Sequence, residues 1–351
     1  MLMSTSLTIE QIAEIANVSR STVSRVLNNH PSVRQQVRDR VLQVIQKYNY
    51  TPQAAARSLA SSRTDVIGLL IPRSAAFIFD DPFFPNIIQG ISEACLTYGY
   101  FLMLSMLTAD MEQSFYNRIL RGRHFDGVIM LSSDIDDPLL PLLIKDRVPL
   151  VLIGSHPYFQ DVNSVDVANR EGAYHAVKHL VALGHQRIAT VTGSLQMSAA
   201  QDRLNGYKQA LLESNIGIAP NLIVEGHFTQ EGAYHATREL LTLANSPTAL
   251  FTASDTMAIG ALHAIHEAQL KVPDDIALVS FDDLPSSLYT TPPLTTMHQP
   301  IAEMGTSAVD ILIKNLKHPA DHTPQAVRLP TSLVIRDSCG ANTHKTIYER
   351  S

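Results

Sequence analysis

Two hydrophobic rhythms divide the chain near residue 63. Before it, apolar residues recur every three or four positions: Ile12, Ala13 and Ala16, then Val23, Val26 and Leu27, then Val33, Val37, Val41, Val44 and Ile45. That spacing predicts three short amphipathic helices. Thr8 with Gln11 three residues on reads as a capping box. Asn17 falls at the first turn, where the backbone often goes left-handed and Asn tolerates it. Ser19 is placed to cap the second helix. The third ends near Tyr48-Asn49-Tyr50, and Thr51-Pro52 then supplies a cap and a proline at a first helical position. The segment that follows, Gln53 to Ser61, is rich in helix formers but short, and nucleation makes such a helix marginal alone.

Beyond Arg63 the rhythm changes to apolar runs separated by amphipathic stretches. Strands are predicted at Val66–Pro72, Phe101–Leu107, Gly127–Leu131, Leu150–Gly154, Arg187–Thr192, Leu222–Glu225, Ala249–Ala253 and Ala277–Phe281. Runs such as VIGLLI and PLVLIG suit parallel strands covered on both faces. Strands alternating with helices argue for doubly wound sheets. Two series of about four or five strands each imply two lobes, with a ligand cleft at the strands' carboxyl ends.

Charge sharpens the division. Residues 1–63 hold eight Lys/Arg against three acidic residues, so the basic head stands on a body more acidic than the chain's net charge of −6. A basic head on an acidic body suits phosphate contact by the head alone. The outward face of the second helix carries Arg20, Ser21, Ser24, Arg25 and Asn28; with Ser19 and Thr22 these are the candidate DNA contacts. Arg pairs bidentately with guanine, and Ser serves as donor or acceptor. The plainer reading is a solvated face on a small bundle.

TVSRVLN, followed by a YxPxxxARSL segment, resembles the lactose-repressor (LacI/GalR) family. The resemblance continues through VALGHQRIATVTG, DRLNGY, SDTMAIGALHAIHEAQLKVPDDIALVSFDD and PPLTTMHQP, and so covers essentially the whole chain. It implies an all-α helix-turn-helix head with a hinge helix, then an α/β periplasmic-binding-protein-like body of two doubly wound lobes. The implied boundaries are 1–50 for the head and 51–63 for the hinge. They are 64–166 plus 297–328 for the first lobe, 167–296 plus 329–340 for the second, and 341–351 for a tail. The marginal hinge segment is expected to be disordered off DNA and helical on DNA, and the resemblance further implies that it pairs with its twin there. Leu59, with Ala56 beside it, then wedges into the minor groove.

Effector contacts are carried over by motif. Arg203 in DRLNGY and Asp282, first acid of FDD, match the family's charged pair; an Arg fork and a carboxylate suit vicinal hydroxyls. Phe228 in GHFTQEG matches an aromatic cover, and Gln299 in MHQP lies at a lobe crossing. Ser254 stands where many members carry Asn. Phe83 and Phe84 resemble a pocket edge, preceded here by an extra stretch, Arg73 to Phe79. Ser132 and Gly154 end strands of the first lobe.

Other chemistries find no support. The sequence has no nucleophile elbow, P-loop or dinucleotide fingerprint, and no cysteine pair at zinc spacing. Glu171, His175 and His179 share one helical stripe, but a metal there would need further ligands and outer-shell partners. No catalytic residue and no cofactor is expected. Cys95 and Cys339 form no disulfide framework, the first residues lack a signal-peptide pattern, and no apolar run approaches 18 residues. The expectation is a cytoplasmic, homodimeric transcription regulator, in this family most often a repressor. It would bind a pseudo-palindromic operator under control of a small effector, with a sugar favoured and a nucleobase equally served by the Arg–Asp pair. The tail has no leucine heptad, so a dimer is expected and not a tetramer. Inducer and corepressor action both stay open. The alternative is a sugar-binding receptor or transport-type binding protein without a DNA role.

Overall fold

The computed structural model describes residues 7–27, 30–50, 63–108, 111, 114–120, 122, 124–131, 134–319 and 323–341. The chain divides into two units, Met1–Thr64 and Asp65–Ser351. Residues 51–62, where the hinge helix with Ala56 and Leu59 is expected, lie outside the described residues, as do Asn28, Ser132 and 342–351.

The head holds α1 (Ile9–Ile15), α2 (Arg20–Leu27) and α3 (Gln35–Lys47). Thr8 and Gln11 form the expected reciprocal box, the Thr8 N–H donating to Gln11 Oε1 at 2.8 Å. Asn17 has φ 50° at the α1–α2 turn. Ser19 Oγ accepts the Thr22 N–H at 3.2 Å. Ile12, Ala13, Ala16, Val23, Val26 and Val41 make one small core. Each helix is too short to persist alone, so burial of these faces against one another holds the unit together.

The body contains two six-stranded sheets. The first comprises β1 (Val66–Ile71), β2 (Phe101–Met106), β3 (Gly127–Leu131), β4 (Leu150–Ile153), β5 (Asn163–Val167) and β11 (Ala326–Leu329). The second comprises β6 (Ile188–Thr192), β7 (Ile223–Glu225), β8 (Ala249–Thr252), β9 (Ala277–Asp282), β10 (Thr295–His298) and β12 (Ser332–Val334). The orders are β11-β5-β4-β3-β1-β2 and β12-β10-β9-β8-β6-β7, every pairing parallel except β10 with β12. In each sheet the first strand lies between the second and third, so the winding reverses beside β1 and β6. That reversal opens a crevice at the carboxyl ends. The chain changes sheet after Val167, after His298 and after Leu329, one or two residues later than the sequence boundaries place it. Met297 and His298 thus pair with Phe281 and Asp282 in the second sheet.

The eight expected strands all form. β5, β10, β11 and β12, at the lobe crossings, have no counterpart among the expected strands. The helices that matter below are α4 (Ala75–Asp80), α5 (Phe83–Thr97), α6 (Leu139–Lys145), α7 (Asn169–Ala182), α8 (Ser198–Glu213), α9 (Gln230–Leu241), α10 (Asp255–Glu267) and α11 (Ile301–Lys317). On α7, Ala173, Ala176, Val177 and Leu180 are buried as their period requires. His179, on the same helix, is half-buried: its Nε2 lies 3.3 Å from Cys339 Sγ, and burial pulls its pKa down.

Helices α9 and α10 approach so closely at Gly260 that a Cβ there would come within 2.0 Å of the Gln230 carbonyl oxygen. Backbone, not a flexible side chain, blocks the space, so Gly260→Ala must part the helices. We expect a loss of about 1–3 kcal/mol by overpacking, read from urea denaturation. Gly217→Ala, where nothing lies within 4 Å, is the near-neutral control. Equal midpoints for the two variants would contradict the close approach.

Candidate functional site

In the head, α2 presents Arg20, Ser21 and Arg25 exposed, with Thr22 and Ser24 half-buried. Arg20 Nε is 3.2 Å from Glu10 Oε1, an exposed pair of the kind worth little and readily exchanged for a phosphate. The Ser19 hydroxyl lies 2.8 Å from that of Ser21 and 2.9 Å from that of Thr22. Ser19, Ser21 and Thr22 therefore shape the helix start as well as its surface, and Arg25 is the exposed side chain nearest the middle of α2.

In the body, Phe83, Phe84, Gly154, Arg203, Phe228, Ser254, Asp282 and Gln299 all line one cavity between the lobes. They come from strand ends and helix starts on both sheets, as the parallel topology dictates. Arg203, on α8, is 5 % exposed. Its Nε donates to Asn169 Oδ1 at 2.8 Å, and its Nη1 donates to the Ala253 carbonyl at 2.5 Å and to Asp282 Oδ1 at 3.3 Å. The guanidinium carbon sits 3.7 Å from the Phe281 ring centroid, a stacked cation–π contact. Among the described residues nothing bonds Nη2, which leaves it as the fork's uncommitted nitrogen.

Asp282 closes β9 with φ 117°, an uncommon backbone conformation of the kind stored at functional sites at a cost of about 1–3 kcal/mol. Gln299 Nε2 donates to its Oδ1 at 2.6 Å. Burial pushes the Asp282 carboxyl well above the ordinary carboxylate value; Arg203 opposes the shift, and Asp255 and Asp81 add to it. Burial likewise pulls Arg203 down, opposed by Asp282 and Asp166. The second acid of the FDD motif has a different task. Asp283 Oδ1 accepts from Arg336 Nη2 at 2.6 Å and thereby ties the β9–β10 region to the end of the body.

Phe228 has φ 59°, and its ring occupies space that a Cβ on Gly193 would enter, at 2.0 Å. Phe84 is buried; its ring meets Phe83 edge-on at 5.4 Å and Phe77 at 5.7 Å. Ser254 lines the cavity, and its hydroxyl accepts the Met257 N–H at 3.1 Å, capping α10. Gly154 has φ 105°, and nothing lies within 4 Å of the place a Cβ would take, so that strand end is open.

Phe77, Asp81, Asp166 and Asn169 also line this cavity, and no motif marks them. Phe77 belongs to the extra stretch. Asp81 accepts the Phe83 N–H at 3.0 Å and, from the other lobe, the Thr256 hydroxyl at 2.9 Å. Asp166 accepts from the Val167 N–H at 2.8 Å and from Asn169 Nδ2 at 2.9 Å. Asn169 thus joins Asp166 to Arg203. The available signal was an acid or amide at the end of a strand, as in NSVDVAN, or between two helices, as in FDDPFF. Among the described residues no group of three His, Cys, Asp or Glu side chains is placed to hold a metal ion, and no helix is long and apolar enough to cross a membrane.

A helix-turn-helix unit with a cationic face, followed by a two-lobed α/β body around a polar-tipped cavity, defines a ligand-binding DNA-binding regulator. Residues 8–53 match the family described as bacterial regulatory proteins, lacI family, and 177–339 match the periplasmic binding protein-like domain. The chain is 36% identical to the ribose operon repressor of Haemophilus influenzae over 94% of this chain and 98% of that protein. It is 35% identical to the HTH-type transcriptional repressor PurR of Aliivibrio fischeri over the same shares. Among solved structures, the lac repressor dimer bound to operator and the anti-inducer ONPF matches with TM-score 0.82 and 30% identity. The CelR–cellobiose complex matches with 0.75 and 32%; each match covers 95% of this chain and 99% of the other. The chain belongs to the LacI family of bacterial DNA-binding transcriptional regulators, and its relatives are repressors, not enzymes.

One buried carboxylate outside the ligand contacts gives the body a pH signature. Asp255 accepts from the Thr296 hydroxyl and the Leu284 N–H, each at 2.7 Å, and from the Ser280 hydroxyl. Burial raises its pKa to about 6; those three donors oppose the rise and Asp283 adds to it. A raised pKa means the folded state keeps a proton that the unfolded chain loses. Its contribution to stability is therefore greatest below the ordinary carboxylate value and falls as pH rises to about 6. Asp255→Asn, which does not titrate, should gain on the wild type over that window in urea denaturation. Parallel pH profiles for the two proteins would refute the assignment.

Proposed function

We propose that this chain is a cytoplasmic, homodimeric transcriptional repressor that reads a pseudo-palindromic operator and responds to a small sugar bound between the lobes of its body. The observation that carries the effector half is the buried set Arg203, Asp282, Asn169 and Gln299 at the strand ends around one cavity. A fixed fork and a carboxylate offer rigid donors and acceptors to neighbouring hydroxyls. Phe83, Phe84 and Phe228 supply apolar wall, and Gly154 leaves room for the guest. The DNA half rests on α2, with Arg20, Ser21, Ser24 and Arg25 toward the groove and Ser19 and Thr22 setting the helix start. Asn28, Ala56, Leu59 and Ser132 are proposed on motif position alone. An effector that prefers one lobe arrangement shifts the population toward it, and two-fold pairing of heads matches a two-fold site.

Selection of a random duplex library by the full-length chain should return a pseudo-palindrome. Binding to it should fall about 10³-fold or more between 50 and 200 mM salt. Arg25→Ala should cost about 1–3 kcal/mol on that site and relax one base preference. Equal weakening on every sequence would make Arg25 a phosphate contact. A chain that enriches no duplex would be a receptor, the alternative reading.

The dimer should form through the exposed face of edge strand β2 in the first sheet. There Phe101 and Met103 point to one face of edge strand β2, 67% and 44% exposed, beside Leu96 and Tyr98, 63% and 41% exposed. Solvated apolar groups clustered this way mark an interaction surface. Phe101→Glu with Met103→Glu should yield a monomer by analytical ultracentrifugation at micromolar concentration, with unchanged circular dichroism. A variant that stays dimeric would place the interface elsewhere.

A further inference from the structure

We propose that the cleft takes a neutral glycan of at least two rings, the second ring seated in an outer cavity that the extra helix α4 builds. This rests on the sugar reading above and names the ligand more closely. Beside the inner cavity lies a second one, lined by Phe77, Asp80, Asp81, Phe228, Glu231 and Thr256 among others. The two cavities share Phe77, Asp81 and Phe228, so one molecule passing between those walls would occupy both.

The shared walls are held firmly. Phe77 lies on α4, whose start is capped by Ser74 Oγ accepting the Phe77 N–H at 3.3 Å. Arg73 makes a two-pronged ion pair with Asp134, at 2.9 and 2.5 Å, and its guanidinium stands 5.8 Å over the Phe77 ring. Phe84 abuts the same ring from the inner side. From the other lobe, Phe228 is seated against Gly193. The result is an aromatic surface on each lobe at the junction of the cavities. Rigid aromatic walls with a few fixed polar groups suit a ring with hydrocarbon faces and hydroxyl edges.

Charge selects among such ligands. The outer cavity is lined by Asp80, Asp81 and Glu231 with no Lys or Arg, and the inner one sets Asp81, Asp166 and Asp282 against Arg203 alone. Carboxylates accept hydroxyl hydrogens and repel phosphates or acidic sugars.

Isothermal titration calorimetry on the full-length chain tests this. The probes are maltose, cellobiose, trehalose, lactose and sucrose, each beside its component monosaccharides, with glucose 6-phosphate, adenosine, guanine and hypoxanthine. One disaccharide should bind at least about tenfold tighter than either of its monosaccharides, and glucose 6-phosphate about tenfold weaker than glucose. Phe77→Ala, which removes a wall common to both cavities, should abolish most of the disaccharide's advantage and weaken the monosaccharides far less than the disaccharide. Glu231→Ala, at a well-exposed position that the fold does not need, should reduce the same advantage and guards against misfolding of the first variant. Disaccharide and monosaccharide binding alike, or both variants weakening every sugar equally, would overturn the second-ring site and leave the sugar reading standing. Binding of a purine or nucleoside with no response to any sugar would overturn both, as would silence toward the whole panel.

Discussion

Arg203 is a cation with almost no water around it, and much of the body's architecture is the condition for keeping it there. Taking an ion out of water costs several kcal/mol unless partners replace its hydration. The replacements come from segments far apart in sequence: Asn169 at the start of α7, the Ala253 carbonyl after β8, the Phe281 ring on β9 and Asp282 at its end. Parallel strands are what deliver four such groups to one point, because all their carboxyl ends open on the same side. Asp282 has the reciprocal problem. Burial works against its charged form, and Gln299 from the second lobe crossing shares the task of holding it. The unusual backbone at Asp282 is the local cost of aiming that carboxylate into the cavity.

The same convergence explains why part of the site could be read in the sequence and part could not. Arg203, Asp282 and Phe228 sit in motifs whose spacing carries over from relatives. Asp81, Asp166 and Asn169 matter through what folding brings beside them: Thr256 from the other lobe for Asp81, Arg203 for Asn169. No local pattern records those meetings. Phe77 was missed because it lies in a stretch the motifs do not cover. In the fold, VIGLLI announces β1 by composition alone. NSVDV, TTMH, AVRL and SLV do not, being short and partly polar, and their strand form is imposed by the neighbours they pair with. These are the crossing segments, where propensity is weakest and register is set by the sheets on either side. In the head, by contrast, the Thr8–Gln11 box, the left-handed Asn17 and the Ser19 cap are local interactions, and local interactions are legible in a sequence.

The lobes also touch across the cleft directly. Asp81 accepts from Thr256, and the Ile135 N–H donates to the Gln196 carbonyl at 2.8 Å. A hydrogen bond of this kind contributes about 0.5–1.5 kcal/mol net, so a few of them favour one lobe arrangement without locking it. That modest bias is what a ligand-controlled body needs. A ligand moves the equilibrium only by its difference in affinity between the two arrangements. Reversing a ratio of 1:99 takes about 5.5 kcal/mol of such difference. Arg203 and Asp282 both lie on the second-lobe side of the chain's crossings, whereas Phe83, Phe84 and Asp81 belong to the first. A guest held by both groups at once gains most when the lobes are close, and one held by the charged pair alone gains equally in either arrangement. The aromatic and acidic residues of the first lobe are therefore the part of the cavity that converts binding into a change of state, and the buried charged pair is the part that decides what binds.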